Sequence, residues 1–147
     1  MNEKETGSFY TPQKLIEYMI NYVSSRVDPK SILEPSAGDG RFANHLNKFN
    51  APISLIEFDK SKTESLQETY GKHCNIVCDD FIKYSLCHDE KYDLIIGNHP
   101  YIAKKNIPEN QFSEFEKNRL LRGFLWNEQI NVQCAIQKHH ILPITTE

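Results

Sequence analysis

The chain has 147 residues, of which 39% are hydrophobic and 25% are charged, as expected for one soluble globular domain. Its formal net charge of −3 excludes a global electrostatic attraction to nucleic acid, so any contact with DNA requires a local patch or a partner. The sequence shows neither a secretory signal nor an apolar run of the roughly 20 residues that a membrane span needs, and we therefore expect a cytoplasmic protein.

The first predicted helix begins close to Thr11 and Pro12. The Thr11 side chain is suited to the N-cap, and proline fits the first helical position because it has no N–H to donate. Apolar residues then recur at helical spacing as far as about residue 26, namely Leu15, Ile16, Met19 and Val23. We expect an amphipathic helix that is capped by Thr11.

Residues 31–42 predict a short buried strand, a turn with two glycines and the start of a helix near Arg41. Ile32 and Leu33 form the strand, and Gly38 and Gly40 lie in the turn. Glycine at such a turn lets the backbone approach a ligand closely, because it has no Cβ and tolerates positive φ. Two glycines alone are a weak signal, since many turns in α/β proteins need them for backbone geometry only.

A carboxylate further along the chain strengthens this signal. Glu57 follows Gly38 by 19 residues and lies at the end of the next predicted strand. An acidic residue about 20 positions after the glycines binds ribose hydroxyls in Rossmann-type folds. The sequence has no Gly-Lys-Ser/Thr motif, and the third glycine of the dinucleotide pattern is absent. The pattern therefore favours a nucleoside ligand without a pyrophosphate.

Four predicted strands alternate with helices, which indicates a right-handed parallel α/β sheet. The strands are expected at about 32–33, 52–58, 75–78 and 92–97. Glu34, Glu57 and the pair Asp79 and Asp80 each follow a strand, at the carboxyl edge where open parallel sheets bind ligands. Such acids can also merely cap turns, but their recurrence at three strand ends favours a binding site.

Four cysteines, Cys74, Cys78, Cys87 and Cys134, form no Cys-x-x-Cys pair of the kind that zinc sites use. Cys74 and Cys78 flank a predicted buried strand, where cysteine behaves as a small apolar residue. We expect reduced structural thiols and no metal site.

The segment 103–147 has a different character from the alternating core. It begins as a polar loop, and a helix is predicted from the apolar residues Phe112, Phe115, Leu120, Leu121, Phe124 and Leu125. A second helix is expected over 127–138, while 141–144 receives no assignment. We therefore expect an N-terminal helix region (1–30), a Rossmann-like core (31–102) and a helical tail (103–147).

Several ordered blocks resemble the motifs of S-adenosylmethionine-dependent DNA methyltransferases that modify adenine N6. They are Gly-Ser-Phe-Tyr-Thr-Pro at 7–12, Leu-Glu-Pro-Ser-Ala-Gly-Asp-Gly at 33–40, Ile-Glu-Phe-Asp at 56–59, Asp-Phe at 80–81 and Ile-Gly-Asn-His-Pro-Tyr-Ile at 96–102. Their order and spacing are similar to those of methyltransferase modules of restriction–modification enzymes over roughly residues 7–135. The resemblance implies a Rossmann-like class I methyltransferase fold, with a truncated parallel sheet of about four strands and flanking helices.

The resemblance also implies which residues bind the methionine part of S-adenosylmethionine. Tyr10 and Thr11 would meet its carboxylate, and Glu34 would meet its amino group. The loop beneath it comprises Ser36, Ala37, Gly38 and Gly40.

For the nucleoside part, the resemblance assigns both ribose hydroxyls to Glu57. Asp80 would accept from the adenine amino group, and the Phe81 backbone would contact the adjacent ring edge. These positions agree with the strand ends inferred above from the residues alone.

The catalytic residues implied by the resemblance are Asn98, His99, Pro100 and Tyr101. An adenine flipped out of double-stranded DNA would donate its amino group to the Asn98 side-chain oxygen and the main-chain carbonyl of His99, while Tyr101 stacks on the base. These acceptors and the positioning of the base leave no need for a strong base.

Two departures from the family pattern affect this assignment. The usual motif is Asn-Pro-Pro-Tyr, and His99 replaces its first proline, which removes a fixed φ and leaves looser positioning. The chain also ends before the last strands and the target-recognition region of the family. The fourth strand would then be an exposed apolar edge, open to self-association or covered by the helices of 103–147.

The main prediction is therefore a restriction–modification methyltransferase module whose activity as an isolated chain is doubtful. One alternative is a non-catalytic remnant that binds S-adenosylmethionine or a partner subunit, which the histidine and the acidic charge favour. Another is a protein-glutamine methyltransferase, which resembles this group in its Asn-Pro-Pro-Tyr loop. That family lacks the Phe-Tyr-Thr-Pro opening, so it ranks last.

Overall fold

The computed structural model describes residues 10–88, 90–98, 134–137 and 140–143, the last two ranges as backbone only. The helices are α1 (Gln13–Ser24), α2 (Ala43–Leu46), α3 (Lys60–Tyr70) and α4 (Phe81–Cys87). The strands are β1 (Ile32–Glu34), β2 (Ile53–Glu57), β3 (Cys74–Cys78), β4 (Leu94–Ile96), β5 (Cys134–Gln137) and β6 (His140–Pro143). Within these ranges, no helix is long and apolar enough to cross a membrane.

The strands form one sheet in the order β3-β2-β1-β4-β5-β6. The pairs β3–β2, β2–β1 and β1–β4 are parallel, and Ile32 of β1 is in register with Ile53 on one side and Leu94 on the other. The predicted four-stranded parallel sheet is thereby confirmed. Because the chain leaves β1 on one side toward β2 and returns on the other as β4, the carboxyl ends of β1 and β4 form the topological switch point of the sheet.

The strand alternation divides the core into two parts, one on each face of the sheet. On one face, α1, α2 and α3 cover alternating strand residues, with Ile32, Leu55 and Ile96 fully buried. On the other face, α4 contributes Tyr84, which packs with Leu33, Ile56 and Ile95. Both faces of the parallel strands are therefore covered, as their continuous apolar sequence requires.

Helix α1 starts one residue later than the sequence predicts. Its N-cap is Pro12, no side chain caps it, and the first helical residue is Gln13. Thr11 is buried, with 4% of its surface exposed, so the predicted capping role of this residue is wrong. The predicted apolar face is confirmed, since Ile16, Met19 and Val23 are fully buried against the sheet.

The hairpin β5–β6 corrects the prediction for the end of the chain. Strand β5 pairs antiparallel with β4, placing Ile95 opposite Ile136, and β6 pairs antiparallel with β5. The expectation that β4 is an exposed edge is therefore wrong, and so is the helix predicted over 127–138 where it overlaps Cys134–Gln137. A short apolar run cannot be assigned to helix or strand by periodicity. Here the backbone groups on the free side of β4 are paired by the strand β5. The predicted helix around 112–125 lies outside the described residues, and self-association stays a prediction.

Three described cysteines are free thiols. Cys74 is buried at the start of β3, as predicted, whereas Cys78 at the other end of the same strand is exposed. The expectation that both behave as small buried apolar residues is therefore wrong for Cys78, because β3 lies at the outer edge of the sheet. In the part of the chain that the structure describes, no group of three or more histidine, cysteine or acidic side chains is arranged to bind a metal ion.

Candidate functional site

The residues predicted for a binding site come together at the carboxyl edge of the parallel strands. Glu34 ends β1, Glu57 ends β2, and Asp79 and Asp80 follow β3. Two backbone hydrogen bonds connect the segments that follow the strands: Ala37 N–H donates to the Ile56 carbonyl at 2.9 Å, and Asp79 N–H donates to the Glu57 carbonyl at 3.2 Å. The predicted placement of these acids at the carboxyl ends of neighbouring parallel strands is confirmed.

The two glycines of the turn after β1 serve different purposes. Both have positive φ, +58° at Gly38 and +80° at Gly40. A Cβ at Gly40 would lie 2.6 Å from Tyr70 Cε2 and 2.9 Å from Leu66 Cδ2, so this glycine allows the loop to pack on α3. A Cβ at Gly38 would meet only Tyr10 Cε1, at 3.9 Å. Gly38 therefore has room for a Cβ, which would make only an ordinary contact with the Tyr10 ring, and its positive φ is what favours glycine.

Glu57 ties this glycine loop to the end of β2. Its Oε2 accepts from the Gly38 N–H at 2.7 Å, and its Oε1 accepts from the Asp59 N–H at 2.8 Å. A carboxylate offers about four lone-pair sites, so two remain for hydroxyl donors of a ligand. The side chain is partly buried and thus held in place while one side stays accessible.

Glu34 is a buried acid with an unsatisfied oxygen. Only 1% of the residue is exposed, and its Oε2 has no hydrogen-bond partner among the described residues. Burial raises the pKa of this carboxyl well above its ordinary value, and the negative charges of Asp39 and Glu57 raise it further. Burial therefore disfavours the ionised form of this carboxyl, and a cation or a strong donor brought by a ligand would favour it.

The end of β4 lies directly against Glu34. A Cβ at Gly97 would lie 3.4 Å from Glu34 Cγ and 3.3 Å from Pro35 Cδ, so any larger residue here would make a tight contact with the end of β1. Asn98 follows at once and is half-buried. This arrangement brings the first predicted catalytic residue to the switch point beside the glycine loop. His99, Pro100 and Tyr101 lie outside the described residues, and their roles stay predictions.

The N-terminal segment reaches the same place. The Tyr10 ring lies beside Gly38, with 41% of the residue exposed, and the buried Thr11 follows it. Tyr10 is thus adjacent to the loop that its predicted role requires.

The acids after β3 have structural roles that are visible in the fold. Asp80 is the N-cap of α4 and accepts from the Lys83 N–H at 3.0 Å. Asp79 Oδ1 accepts from the Asp80 N–H at 2.8 Å. Phe81, the first residue of α4, packs partly buried against the smaller core cluster. The capping interpretation therefore holds for Asp80, and the remaining acceptor capacity of its carboxylate is compatible with a ligand.

Phe58 is a further candidate for the site that the sequence patterns did not single out. It follows Glu57 directly at the carboxyl edge of the sheet, and 73% of its surface is exposed, the highest fraction among the exposed large hydrophobic residues of the described part. An exposed aromatic ring next to a bound nucleoside can cover the face of a base. The available signal was a phenylalanine placed between two acids immediately after a buried strand.

The sequence model of the N-6 DNA methylase family matches residues 1–140. Among curated relatives, the type II methyltransferase M.HincII of Haemophilus influenzae is 31% identical over 132 residues. That alignment covers 87% of this chain and 22% of M.HincII, so the chain spans little more than a fifth of that relative.

Two solved structures illustrate the fold. The putative methyltransferase yhhF from Escherichia coli matches with a TM-score of 0.56 at 19% identity, covering 76% of this chain and 64% of that chain. The methyltransferase PaMTH1 of Podospora anserina, solved with bound S-adenosylhomocysteine (SAH), matches with a TM-score of 0.53 at 17% identity, covering 79% and 50%. At such identities the likeness shows the fold alone, and the predicted Rossmann-like class I methyltransferase fold is confirmed.

Proposed function

Because the chain belongs to the N-6 DNA methylase family, we propose that it forms the cofactor-binding part and the catalytic loop of an adenine-N6 DNA methyltransferase of a restriction–modification system. The methyl donor would be S-adenosylmethionine, and the acceptor an adenine flipped out of double-stranded DNA. The chain spans 22% of M.HincII, so the activity, the DNA substrate and the partners of a whole enzyme are all part of this proposal.

The observation that carries the proposal is the unsatisfied oxygen of Glu34. It is buried at the switch point, next to the glycine loop and to the end of β4. A buried carboxyl whose Oε2 has no partner among the described residues fits a ligand that brings its own positive charge. The amino group of S-adenosylmethionine is such a charge, and the bound cofactor supplies an electrophilic methyl group.

The remaining contacts to the cofactor follow from the positions at the edge of the sheet. Tyr10 and Thr11 would meet the methionine carboxylate from the N-terminal segment. Glu57 would accept from both ribose hydroxyls while retaining its bonds to the Gly38 and Asp59 N–H groups. The residues of the loop beneath the cofactor are Ser36, Ala37, Gly38 and Gly40.

The adenine of the cofactor would lie between the ends of β2 and β3. Asp80 would accept from its amino group, the Phe81 backbone would contact the ring edge, and the exposed Phe58 ring would cover one face. The face of the adenine ring needs no hydrogen-bond partner, so an exposed apolar side chain such as Phe58 is suited to pack against it.

For the transfer itself, two acceptors would hold the amino group of the target adenine. They are the side-chain oxygen of Asn98 and the main-chain carbonyl of His99, and Tyr101 would stack on the extruded base. Both acceptors take hydrogen bonds from the amino group and thereby orient its lone pair. The methyl group would pass from the sulfur of the donor to this nitrogen, leaving SAH, and the nitrogen would release one proton to solvent. The chain therefore contributes mainly positioning. Histidine at 99 retains the carbonyl that this role requires.

Calorimetric titration with SAH tests the cofactor assignment. We expect saturable binding that Glu57→Gln weakens about 10- to 150-fold, because hydrogen bonds to a charged group contribute about 1.5–3 kcal/mol. The matched control is Glu64→Gln, which changes an exposed acid of α3 in the same way and should leave the affinity unchanged. A folded protein that does not bind, or full affinity in Glu57→Gln, would refute the assignment.

A second candidate function is a non-catalytic module that binds the cofactor, and the histidine at 99 favours it. Transfer of a tritiated methyl group to DNA that lacks N6-methyladenine separates the two functions. Transfer that Asn98→Ala abolishes supports the enzyme, whereas cofactor binding without any transfer supports the non-catalytic module.

A further inference from the structure

Three separate parts of the chain converge on the ring of Tyr10. The ring lies beside the glycine loop, 3.9 Å from the place where a Gly38 Cβ would be. The guanidinium carbon of Arg41, after that loop, lies 4.7 Å from the ring centroid. The ammonium nitrogen of Lys62, in the first turn of α3, lies 5.7 Å from it. Both distances fall within the range of cation–π attraction.

Tyr10 lies outside α1, two residues before its N-cap, and 41% of its surface is exposed. The exposed part of the ring is open to cations, which are attracted to the face of an aromatic ring. The two cations are therefore contacts among the described residues that help to hold the ring next to the loop.

Arg41 is the better placed of the two cations. Its Nε donates to Asp39 Oδ2 at 2.8 Å, and this bond orients the guanidinium plane from within the loop. The same contact places a positive charge next to Asp39, one of the two carboxylates that act on Glu34. Arg41 thus connects the Tyr10 ring, the loop and the charge balance around the buried acid.

From this geometry we propose that Arg41 is a positioning residue of the site, which holds the Tyr10 ring against the glycine loop and thereby supports binding of the amino-acid end of the ligand. The inference rests on the proposed function, because Tyr10 borders the methionine part of the ligand only if the cofactor binds as described above. Arg41 itself touches no reacting atom in this assignment.

Titration of Arg41→Ala with two ligands tests the inference. We expect binding of SAH to weaken about two- to fivefold, the effect that one exposed cation–π contact provides. Binding of 5′-methylthioadenosine, which has the nucleoside but no amino acid, should stay unchanged. The matched control is Arg26→Ala, which removes a cation–π pair with Tyr22 at the C-terminal end of α1 (3.7 Å) and should change neither affinity.

A double-mutant cycle identifies the path of the effect. If Arg41 acts through the ring, Arg41→Ala should have no further effect on SAH affinity in a Tyr10→Leu background. If it acts by offsetting the charge of Asp39, Arg41→Ala should instead lose its effect in an Asp39→Asn background, and the inference about Tyr10 would be overturned.

Nuclear magnetic resonance provides a readout without any ligand. The Nε–H resonance of Arg41 should carry a ring-current shift that disappears in Tyr10→Leu and persists in Arg26→Ala. Absence of this shift in the parent protein overturns the inference whatever the titrations show. If the parent binds SAH and Arg41→Ala binds equally well, the inference fails while the proposed function stands; if the folded parent binds no SAH, both fail.

Discussion

Replacing Glu34 by glutamine separates the charge of this residue from its shape. In the protein without ligand the carboxyl is buried, and the nearby charges of Asp39 and Glu57 oppose its ionisation. The variant keeps nearly the same volume and presents an uncharged polar group, as the protonated acid does. We therefore expect Glu34→Gln to fold like the parent. The variant lacks the negative charge that, on the proposed function, pairs with the amino group of the ligand.

The expected loss of affinity follows from the kind of bond that disappears. A hydrogen bond between a buried carboxylate and an ammonium group is charge-assisted and contributes about 1.5–3 kcal/mol, which corresponds to about a 10- to 150-fold weaker binding of SAH. A deletion such as Glu34→Ala would add a cavity, so glutamine is the cleaner change. Glu64→Gln, on the exposed surface of α3, controls for the loss of one negative charge.

The raised pKa of Glu34 also fixes the sign of the pH dependence. Because the carboxyl must lose its proton to bind a cation, affinity should rise with pH through the raised pKa of the free protein, and protons should be released on binding. The pKa values of Tyr70 and Cys74 are raised by burial and also by the charge of Glu34, so both groups stay neutral at physiological pH and do not contribute to this pH dependence. In Glu34→Gln the rise of affinity with pH should disappear.

The stability of the ligand-free protein should change in the opposite direction. A carboxyl whose pKa is raised by folding adds stability below its ordinary value of 4.5, and this contribution is lost as the pH rises through the raised pKa. Glu34→Gln should therefore gain stability relative to the parent as the pH increases. Thermal unfolding of the parent and the variant from about pH 4 to about pH 9 measures this change in stability. The protons released on ligand binding are counted separately, by calorimetric titration in two buffers of different ionisation enthalpy. Affinity that is independent of pH, or undiminished in the variant, would refute this reasoning.

Three further predictions concern the loop, the ligand edge and the hairpin. Gly40→Ala should destabilise the fold by about 1–3 kcal/mol in urea titrations, because its Cβ would lie 2.6 Å from Tyr70 Cε2 and the φ of +80° is strained for alanine; unchanged stability would contradict the packing. Phe58→Ala should weaken SAH binding about two- to tenfold without loss of stability, whereas Tyr18→Ala, an exposed aromatic of α1, should leave binding unchanged. Ile136 is in β5, which pairs with β4 on one side and β6 on the other, so Ile136→Pro removes a backbone N–H from the sheet and should reduce stability by about 1–3 kcal/mol. An unaffected melting curve would argue against the hairpin.

The parallel part of the fold could be predicted because its signals are local. The buried strands are short apolar runs between turn residues, and each is followed by a polar segment that forms a helix. The turn at Gly38 and Gly40 and the carboxylate of Glu57 carry their own spacing rule. The hairpin could not be predicted in the same way, since Cys134–Gln137 becomes a strand only through pairing with β4, about 40 residues earlier in the chain.

For the candidate site, too, some features were predictable from the sequence and others were not. Its residues were found from strand ends and from the family resemblance, but their individual environments were not visible in the sequence. The role of Thr11 is one example, since a good capping residue is buried there instead. The difference between Gly40, where a Cβ would collide with Tyr70, and Gly38, where it would make only an ordinary contact with Tyr10, is another. Both depend on neighbours that tertiary structure brings together.

The carboxylates of the site differ in how far the fold already satisfies them, and this difference determines what each can recognise. Glu57 accepts from two backbone N–H groups, and Asp80 caps α4, so both side chains are held in place by backbone donors without a ligand. They can add neutral donors, such as hydroxyl or amino groups, at little electrostatic cost. Glu34 has an oxygen that no described group satisfies, and the charges around it are negative. On the proposed function, a neutral nucleoside would use the first two residues and leave the third unsatisfied, so we expect Glu34 to contribute most of the discrimination in favour of a ligand with an amino group.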